Sequence, residues 1–370
     1  MLASCSLNDW LLQLADPVKD QDVPPPPQIT FSNASMVGQT VTVSLAGSSS
    51  LKMVYTNNRE GITFPYSPNH NTPVDTEKTT LTRKFFLSET EVTNAQAIKV
   101  LQWALNTGKI MTSPGAHNEV NAMQVKYGNQ LLVDLNQPGQ IRIGFNPSTQ
   151  TFWVEPGYEN HPMNFITWYG AILFCNWLTE MIDGHSNNLV YSGIDTTWTH
   201  EETVVDYSKT GFRLPSGAEW EFAARYLGTY PPSSLNLSTQ YIAQNLRGGH
   251  PDLTPGYCWT PANYASGALK DNSYEAETRA VAWCIQDPQM PYGEDPMPVK
   301  TKNPNQLGLY DMSGNVWEWC FDLYMSVQPF RVLRGHSFSD NPQDVNLGVW
   351  VAVTPTSYDM TIGLRLARTQ

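Results

Sequence analysis

The chain carries little positive charge for its length. Its 370 residues include 22 Lys and Arg against 34 Asp and Glu, which gives a formal net charge of −12, and no stretch gathers the basic residues together. Because phosphate backbones are bound by clustered cations, this composition argues against a nucleic-acid partner.

Long apolar runs are also missing. No segment reaches the roughly 18 to 20 continuous apolar residues of a membrane-spanning helix, which excludes such a helix. Near the start, however, Leu2-Ala3-Ser4-Cys5 is similar to the lipobox of bacterial lipoproteins. It predicts a lipid at Cys5 that would attach the protein to a membrane, at the cell surface or outside the cell. Chance is the alternative, because a short pattern of small residues arises easily.

Cysteine is scarce, at five residues: Cys5, Cys175, Cys258, Cys284 and Cys320. No two of them have the CxxC spacing of a typical zinc site. Cys258 and Cys284 each neighbour a tryptophan and could form a disulfide in an exported protein, whereas buried thiols would explain them equally well. The sequence leaves disulfides open.

Aromatic residues, proline and glycine are abundant. The chain has 12 Trp, 17 Tyr, 27 Pro and 25 Gly, and 41% of its residues are hydrophobic. This content supports a globular core, and the length suits one large or two ordinary domains. We expect a loop-rich fold that is held together by aromatic packing.

The chain divides into three parts. Residues 1–27 form a tail and a tether, because the four prolines of 24–27 impose an extended conformation. Residues 28–50 form a lead-in whose alternating Val41, Val43 and Leu45 predict a strand. Residues 51–370 form the main domain, in which 229–300 have little periodicity and are interpreted as long packed loops.

Three helices are predicted from their starts and stops. They begin near Thr93, at about Thr167 and at Ser216, and the first and last have Gln or Glu three residues later as in a capping box. Gly184 and Gly228 are expected to end the second and third helices. Between the first two, Gln130–Leu135 and Gln140–Gly144 flank an Asn-Gln-Pro-Gly turn, which predicts a hairpin.

Five motifs follow one another in order: Glu89–Gln96, Asn160–Trp168, Arg213–Arg225, Gly308–Trp319 and Gly363–Arg365. This series resembles the formylglycine-generating-enzyme (sulfatase-modifying factor) domain, over roughly residues 50–370. The resemblance implies an α+β fold of the C-type-lectin-like class, with small antiparallel sheets, flanking helices and extensive irregular loops.

The residues of these motifs also make structural sense alone. Gly314-Asn315 suits a turn with positive φ, after which Trp317 and Trp319 alternate with Glu318 as in a strand with one buried aromatic face. Four charged residues on and near the third predicted helix are better explained as ion pairs than as a catalytic cluster: Arg213, Glu219, Glu221 and Arg225.

The enzymes of this family hold copper with two cysteines in the C-terminal segment. No cysteine follows Cys320 here, so the resemblance implies that this chemistry is absent. Related sulfoxide synthases use a histidine-based iron site, but the histidines are scattered and only His200-Glu201-Glu202 places ligands side by side. We therefore predict no cofactor, no metal and no catalytic residue. A related oxidoreductase or metal-dependent enzyme with a non-cysteine site is the alternative, and structural calcium at Asp311, Asn315 and Glu318 stays unassigned.

A second branch of the same fold family consists of the variable proteins of diversity-generating retroelements. In that branch two frames at the C-terminus enclose the diversified positions, as Arg331–Gly335 and Gly363–Ala367 do here, with Leu364 and His336 in place of the commoner Phe and Gly. This resemblance implies a noncatalytic ligand-binding protein, receptor or adhesin-like, with a C-terminal variable region of about 331–367. Its partner would be a protein or another macromolecule, and carbohydrate binding ranks lower.

Eleven residues between the frames are candidates for contacts with a ligand: His336, Phe338, Asp340, Asn341, Asp344, Asn346, Gly348, Trp350, Ser357, Tyr358 and Asp359. All except Trp350 can arise when the adenines of an Asn codon are randomised, whereas Gln343 and Met360 cannot. We expect Phe338, Trp350 and Tyr358 to be aromatic anchors within polar neighbours. Arg334 and Arg365 are expected to hold the frames. An ordinary solvated loop is the alternative.

Overall fold

A computed structural model describes residues 31–370, apart from 46, 68–74, 76, 113–117, 138, 196, 198, 200, 201, 229–252, 291–294 and 325–328. The predicted tail and tether of residues 1–27, with Cys5, lie outside the described residues, as does much of the predicted loop region 229–300. The division into tail, lead-in and main domain therefore stays a prediction.

The described residues form four α-helices after a short 3-10 turn: α1 (Asn94–Asn106), α2 (Trp168–Asp183), α3 (Gly217–Arg225) and α4 (Glu275–Val281). The first three confirm the predicted helices. The fourth lies in a stretch that was interpreted as loop, because seven residues are too few to show helical periodicity. No helix in the described part is both long and apolar enough to cross a membrane.

The helix ends follow the predicted capping chemistry. Thr93 Oγ1 accepts a hydrogen bond from Gln96 N at 3.3 Å, and the Gln96 side chain accepts one from Thr93 N at 3.0 Å. Gly184 ends α2 in the left-handed conformation, with φ 71°. Helix α3 has a capping box at Ser216 but ends at Arg225, before the predicted Gly228.

Eighteen strands are described: β1 (Thr40–Ser44), β2 (Ser50–Tyr55), β3 (Ile62–Pro65), β4 (Lys78–Leu81), β5 (Phe85–Ser88), β6 (Asn118–Val120), β7 (Gln124–Tyr127), β8 (Gln130–Asp134), β9 (Ile143–Asn146), β10 (Thr151–Val154), β11 (Tyr191–Ser192), β12 (Val204–Val205), β13 (Phe212–Arg213), β14 (Trp317–Tyr324), β15 (Phe330–Arg334), β16 (Val351–Val353), β17 (Ile362–Gly363) and β18 (Ala367–Thr369). A five-stranded sheet has the order β1-β2-β5-β18-β13 and a four-stranded sheet the order β16-β15-β14-β17. All pairings of these strands are antiparallel except that of β14 with β17, which confirms the α+β class with small antiparallel sheets.

The first and last described strands belong to the same sheet. Strand β1 forms a hairpin with β2, and β2 pairs with β5, whose other neighbour is β18. The expected boundary after residue 50 thus falls inside a β-hairpin. Because β18 lies inside this sheet, between β5 and β13, the C-terminal segment is anchored by the strands that begin the domain.

The hairpin predicted over residues 130–144 is wrong. Strand β8 pairs with β7 across the two-residue turn Gly128-Asn129, while β9 pairs with β10. The two-residue turn between β7 and β8 and the four-residue connection 147–150 between β9 and β10 therefore replace the predicted Pro-Gly turn.

The first half of strand β14, residues 317–320, is buried on both faces, not on the aromatic face alone. Trp319 Nε1 donates to the Ile166 carbonyl at 3.0 Å, and Trp220 Nε1 donates to Glu318 Oε2 at 2.7 Å. The turn before it has the predicted positive φ, 76° at Gly314 and 61° at Asn315. The turn and the strand both contact the C-terminal segment, through the hydrogen bond from Phe338 N to the Asn315 carbonyl and through the pairing of β14 with β17.

Candidate functional site

The two frames lie in the two main sheets. Arg331–Gly335 covers most of β15, and Gly363–Ala367 runs from β17 into β18. Residues 336–361 leave the four-stranded sheet, return once through β16, and rejoin it at β17. The frames therefore hold the two ends of an irregular segment.

Buried ion pairs fasten both frames. Arg334 Nη2 lies 3.0 Å from Glu221 Oε2, and Arg365 Nη2 lies 2.8 Å from Glu318 Oε1, with all four side chains fully buried. Arg365 also donates to the Ser88 carbonyl of β5 at 2.8 Å. These contacts agree with the frame-holding role predicted for the two arginines.

The predicted ion pairs of α3 are present and buried. Arg213 lies 2.6 Å from Glu219, and Arg225 lies 3.0 Å from Glu221, which also contacts Arg334. Burial acts to raise the pKa of Glu219, but the Arg213 guanidinium outweighs it and the pKa falls below its usual value. These carboxylates are committed to arginines, as in a structural network.

A cleft of about 690 Å³ lies where residues 336–361 meet a loop after α4. The wall from the loop is formed by Ile285, Gln286, Asp287 and Met290. The wall from the C-terminal segment is formed by Phe338, Ser339, Asp359, Met360 and Thr361. Apolar side chains surrounded by a few polar groups are the usual composition of a ligand site.

Backbone hydrogen bonds join the two walls. Ile285 N donates to the Asp340 carbonyl at 3.0 Å, and Phe338 N donates to the Asn315 carbonyl at 2.8 Å. Asn315 N in turn donates to the Trp283 carbonyl at 3.0 Å. The Gly314-Asn315 turn therefore lies between the walls and sets their spacing.

Two carboxylates of the C-terminal segment are held by their own turns. Asp340 Oδ2 accepts from the backbone and hydroxyl of Ser337 at 2.7 and 2.8 Å. Asp359 Oδ1 accepts from the backbone and hydroxyl of Thr361 at 2.7 and 2.6 Å. Such local bonds fix where a short acidic side chain lies on a surface.

The structure divides the predicted site residues into four groups. Phe338 and Asp359 line the cleft. Asp340, Asn341 and Asp344 lie in an accessible turn beside it, and Ser357 and Tyr358 lie half-buried in the turn before Asp359. His336, Asn346, Gly348 and Trp350 are buried. The assignment of these residues to ligand contacts stays a prediction, and the first group meets at the cleft.

The predicted anchor role requires correction for Trp350. Its side chain is 6% exposed and its ring packs edge-on against Tyr324, with centroids 5.0 Å apart. Because that ring is already covered by the protein, Trp350 packs in the core under the C-terminal segment and does not present its ring to a ligand. Phe338 is also buried but lines the cleft. Tyr358 rests partly on the core, where burial and the neighbouring Asp134 raise its pKa.

His336 has a buried and unusual position. It adopts a left-handed backbone with φ 66°, which suits the glycine commoner in the resembled frame. Its ring lies 4.6 Å from that of Trp317, and its Nδ1 is 3.9 Å from Asp340 Oδ2. Burial lowers the pKa of His336 to about 4, so the imidazole is neutral at neutral pH.

This neutral histidine predicts a pH effect. The unfolded chain takes up the proton near the ordinary pKa of 6.5, whereas the folded chain does so only near 4, so folding stability falls as pH drops between these values. Between pH 7 and pH 4.5 we expect wild type to lose about 2 kcal/mol more than His336→Asn, which cannot titrate and tolerates the left-handed backbone. Urea unfolding at both pH values measures the difference, and equal losses would contradict it.

The described cysteines are buried. Cys175, Cys258, Cys284 and Cys320 form no disulfide. Burial raises the pKa of Cys284 to about 11 and raises that of Cys175 and Cys320 as well. A thiol that stays protonated is a poor nucleophile and metal ligand, so these residues have the properties of core side chains.

Most of the oxygen atoms considered for calcium are engaged by protein donors, Asp311 Oδ1 being the exception. Asn315 Oδ1 accepts from Met297 N at 2.8 Å, and Glu318 is paired with Arg365. In the part of the chain that the structure describes, no group of three or more His, Cys, Asp and Glu side chains is placed to hold a metal ion. Calcium stays unassigned.

Most of the cleft was not predicted, because only Phe338 and Asp359 of its nine lining residues were candidate contact residues. Ile285, Gln286 and Met290 come from a stretch that was interpreted as featureless loop, and Met360 was noted only as incompatible with a randomised Asn codon. No local pattern marks these residues, because their meeting depends on the pairing of segments that are about 50 residues or more apart. A spacing signal could not have found them.

Curated relatives match parts of the chain. Chaperone protein LppX of Paenibacillus barcinonensis is 27% identical over 49% of this chain and 61% of its own length. The formylglycine-generating enzyme of Streptomyces coelicolor is 26% identical over 57% of this chain and 54% of its own length. The chain thus spans about three fifths and about half of these two relatives.

Two solved structures cover nearly the whole chain. CarF is 20% identical with a TM-score of 0.50, over 91% of this chain and 100% of its own. The Treponema denticola variable protein 1 is 22% identical with a TM-score of 0.48, over 89% of this chain and 98% of its own. The fold is α+β and C-type-lectin-like, as predicted.

The family is established by the sequence profile. The profile of the sulfatase-modifying factor enzyme 1-like domain matches residues 31–370. That region contains both frames, the cleft and every described element of the fold. The chain therefore belongs to the sulfatase-modifying factor enzyme 1-like domain family.

Proposed function

We propose that this chain is a noncatalytic ligand-binding protein that displays a variable C-terminal surface on its lectin-like scaffold, as the variable proteins of diversity-generating retroelements do. The observation that carries the proposal is the cleft, one wall of which belongs to the segment between the two buried frames. A rigid scaffold reduces the entropy lost on binding, so the side chains of the segment can change while the frames stay fixed.

The chemistry of the cysteines supports a noncatalytic role. The C-terminal segment holds no cysteine, and burial raises the pKa of the thiols at Cys175, Cys284 and Cys320. A thiolate pair of the kind expected in the family's enzymes therefore has no counterpart among these residues.

An enzyme is the second candidate, favoured by the family profile and by the match to the Streptomyces coelicolor formylglycine-generating enzyme. It would use a site without cysteine. Purified chain loaded with copper or iron is incubated with a cysteine-containing peptide, and the peptide mass is followed. Stoichiometric metal together with conversion of the cysteine would replace our proposal.

The binding proposal is tested with a random peptide library displayed on yeast and sorted against the purified full chain. Met360→Asp places a charge in the cleft, and Met123→Asp makes the same change at a residue that is 50% exposed on another hairpin. Selected peptides should bind wild type and Met123→Asp alike and bind Met360→Asp about 10- to 100-fold more weakly, because an apolar side chain loses its buried contacts.

Two results would count against this proposal. One is that no peptide of the library is enriched by sorting against the wild-type chain, relative to sorting without the chain. The other is a set of peptides that bind Met360→Asp as tightly as wild type, which would place recognition elsewhere. Both variants are first checked for wild-type unfolding transitions, so that loss of binding is not loss of fold.

We further propose that the protein acts at the cell surface or outside the cell, attached by a lipid at Cys5. The lipobox-like stretch Leu2-Ala3-Ser4-Cys5 motivates this proposal. Membrane fractionation of cells that express wild type and Cys5→Ser tests it, and equal recovery of both in the membrane fraction would refute it.

A further inference from the structure

We infer that the cleft binds an exposed segment of a partner protein in which an apolar side chain is flanked by lysine or arginine. This inference rests on the proposed function and adds the chemistry of the ligand. The apolar part of the ligand follows from the cleft walls, and the basic part follows from the charges around the cleft.

The cleft walls are suited to a large apolar side chain. Ile285 and Met290 come from the loop, and Phe338 and Met360 come from the C-terminal segment. Methionine side chains adapt their shape to different apolar groups, so such a site tolerates several ligand side chains. Its volume of about 690 Å³ exceeds that of one side chain, leaving room for the neighbouring residues of a peptide.

The charges of the C-terminal segment have one sign. Residues 336–362 contain Asp340, Asp344 and Asp359 and neither lysine, arginine nor glutamate. His336 in the same segment is buried, and burial keeps it neutral at neutral pH. The arginines of the frames are buried, so they present no positive charge at the cleft.

Two other acidic groups of the described residues near the cleft already have basic partners. Asp287 lies 2.8 Å from Lys302 Nζ, and Glu275 of α4 lies 3.5 Å from Arg279. Among the residues that the structure describes, the excess of negative charge next to the cleft is therefore that of Asp340, Asp344 and Asp359. Cations are attracted to such a rim, whereas phosphates and acidic peptides are repelled.

The apolar cleft and the acidic rim are expected to contribute differently to binding, because their interaction energies differ in size. An exposed ion pair contributes little, and screening acts over about 8 Å at physiological salt. Burial of one apolar side chain contributes more. The cleft should therefore provide most of the affinity, and the three carboxylates should provide selectivity, association rate and a dependence on salt.

The test uses peptides selected from the random library. Each peptide is synthesised in two versions, one with its Lys and Arg residues and one in which Gln replaces them. The chain is compared with the triple variant Asp340→Asn, Asp344→Asn and Asp359→Asn. Asparagine keeps an oxygen for the hydrogen bonds from Ser337 and Thr361, so the turns should persist. Glu119→Gln, a surface carboxylate on β6, is the control for a general change of charge.

We expect the enriched peptides to carry Lys or Arg next to Leu, Ile, Met or Phe. At low salt the triple variant should bind them about 10-fold more weakly, with a much flatter salt dependence, while Glu119→Gln should match wild type. The Gln peptides should show the same loss with the wild-type chain.

The inference is overturned if selected peptides lack cations, or if the triple variant binds them as wild type does at every salt concentration. If the selected peptides nevertheless bind Met360→Asp more weakly than wild type, the proposed function survives and only the basic character of the ligand is wrong. Self-association of the chain, or binding to a glycan array, would also overturn the inference if Met360→Asp abolished it, because the occupant would then be a second copy or a sugar.

Discussion

Replacing Arg365 by Met should lower the free energy of unfolding by about 3 to 5 kcal/mol, because a buried ion pair that loses one partner leaves an uncompensated charge. Arg365 contacts both oxygens of Glu318 at 2.9 and 3.0 Å and donates to the Ser88 and Tyr310 carbonyls. Glu91 is also buried close by, where desolvation and Asp311 raise its pKa. The midpoint of urea unfolding measures the loss.

Lys300→Met is the matched control for this prediction. Lys300 pairs with Glu89 at 2.9 Å, but its side chain is 39% exposed, so we expect a loss of about 0 to 1 kcal/mol. Adding Glu318→Gln to Arg365→Met should recover part of the stability, since it removes one stranded charge. Equal unfolding midpoints for Arg365→Met and Lys300→Met would show that the buried pair does not hold the C-terminal frame.

Replacing Gly314 by Ala should lower the stability by about 2 to 5 kcal/mol, from a left-handed backbone and a steric clash. The φ of Gly314 is +76°, and a Cβ there would lie 2.1 Å from the Trp283 carbonyl oxygen. The clash would push the 283–286 segment away from the C-terminal segment. Peptides that bind the cleft should therefore bind Gly314→Ala more weakly than the loss of stability alone explains.

Gly308→Ala separates the two causes. Gly308 belongs to the same motif and has a φ of +79°, but a Cβ added there would meet no atom within 4 Å. Only the cost of the left-handed backbone applies there, so we expect the free energy of unfolding to fall by about 1 kcal/mol. Thermal unfolding and peptide binding are measured for both variants. If Gly308→Ala were as damaging as Gly314→Ala, the close approach of Trp283 would not set the spacing of the walls.

Local chemistry made the helices predictable. Thr93, Thr167 and Ser216 mark helix starts by the hydrogen bonds that their side chains accept, and these bonds depend on residues three positions away. The hairpin over residues 130–144 failed because strand partners are chosen among several neighbours of similar pattern. Helix α4 was missed because it is short.

The candidate site was only partly predictable. The two frames located its ends correctly, since β15 and the β17–β18 connection lie where the motifs placed them. Polarity and aromatic character did not show which side chains are covered, and so Trp350 was expected at the surface although it packs against Tyr324. Codon compatibility could not recognise Met360 as a wall of the cleft.

The amino-acid sequence by itself determined the family, the capped helices and the absence of cysteine between the frames, because motifs, caps and composition are local properties of the chain. Tertiary structure decided that the loop at Ile285 and Met290 meets Phe338 and Met360, and that Asp359 lies beside them. The reason is physical: the cleft exists only where backbone hydrogen bonds join distant segments across the Gly314-Asn315 turn. No single segment contains both walls, so no pattern within one segment could encode the site.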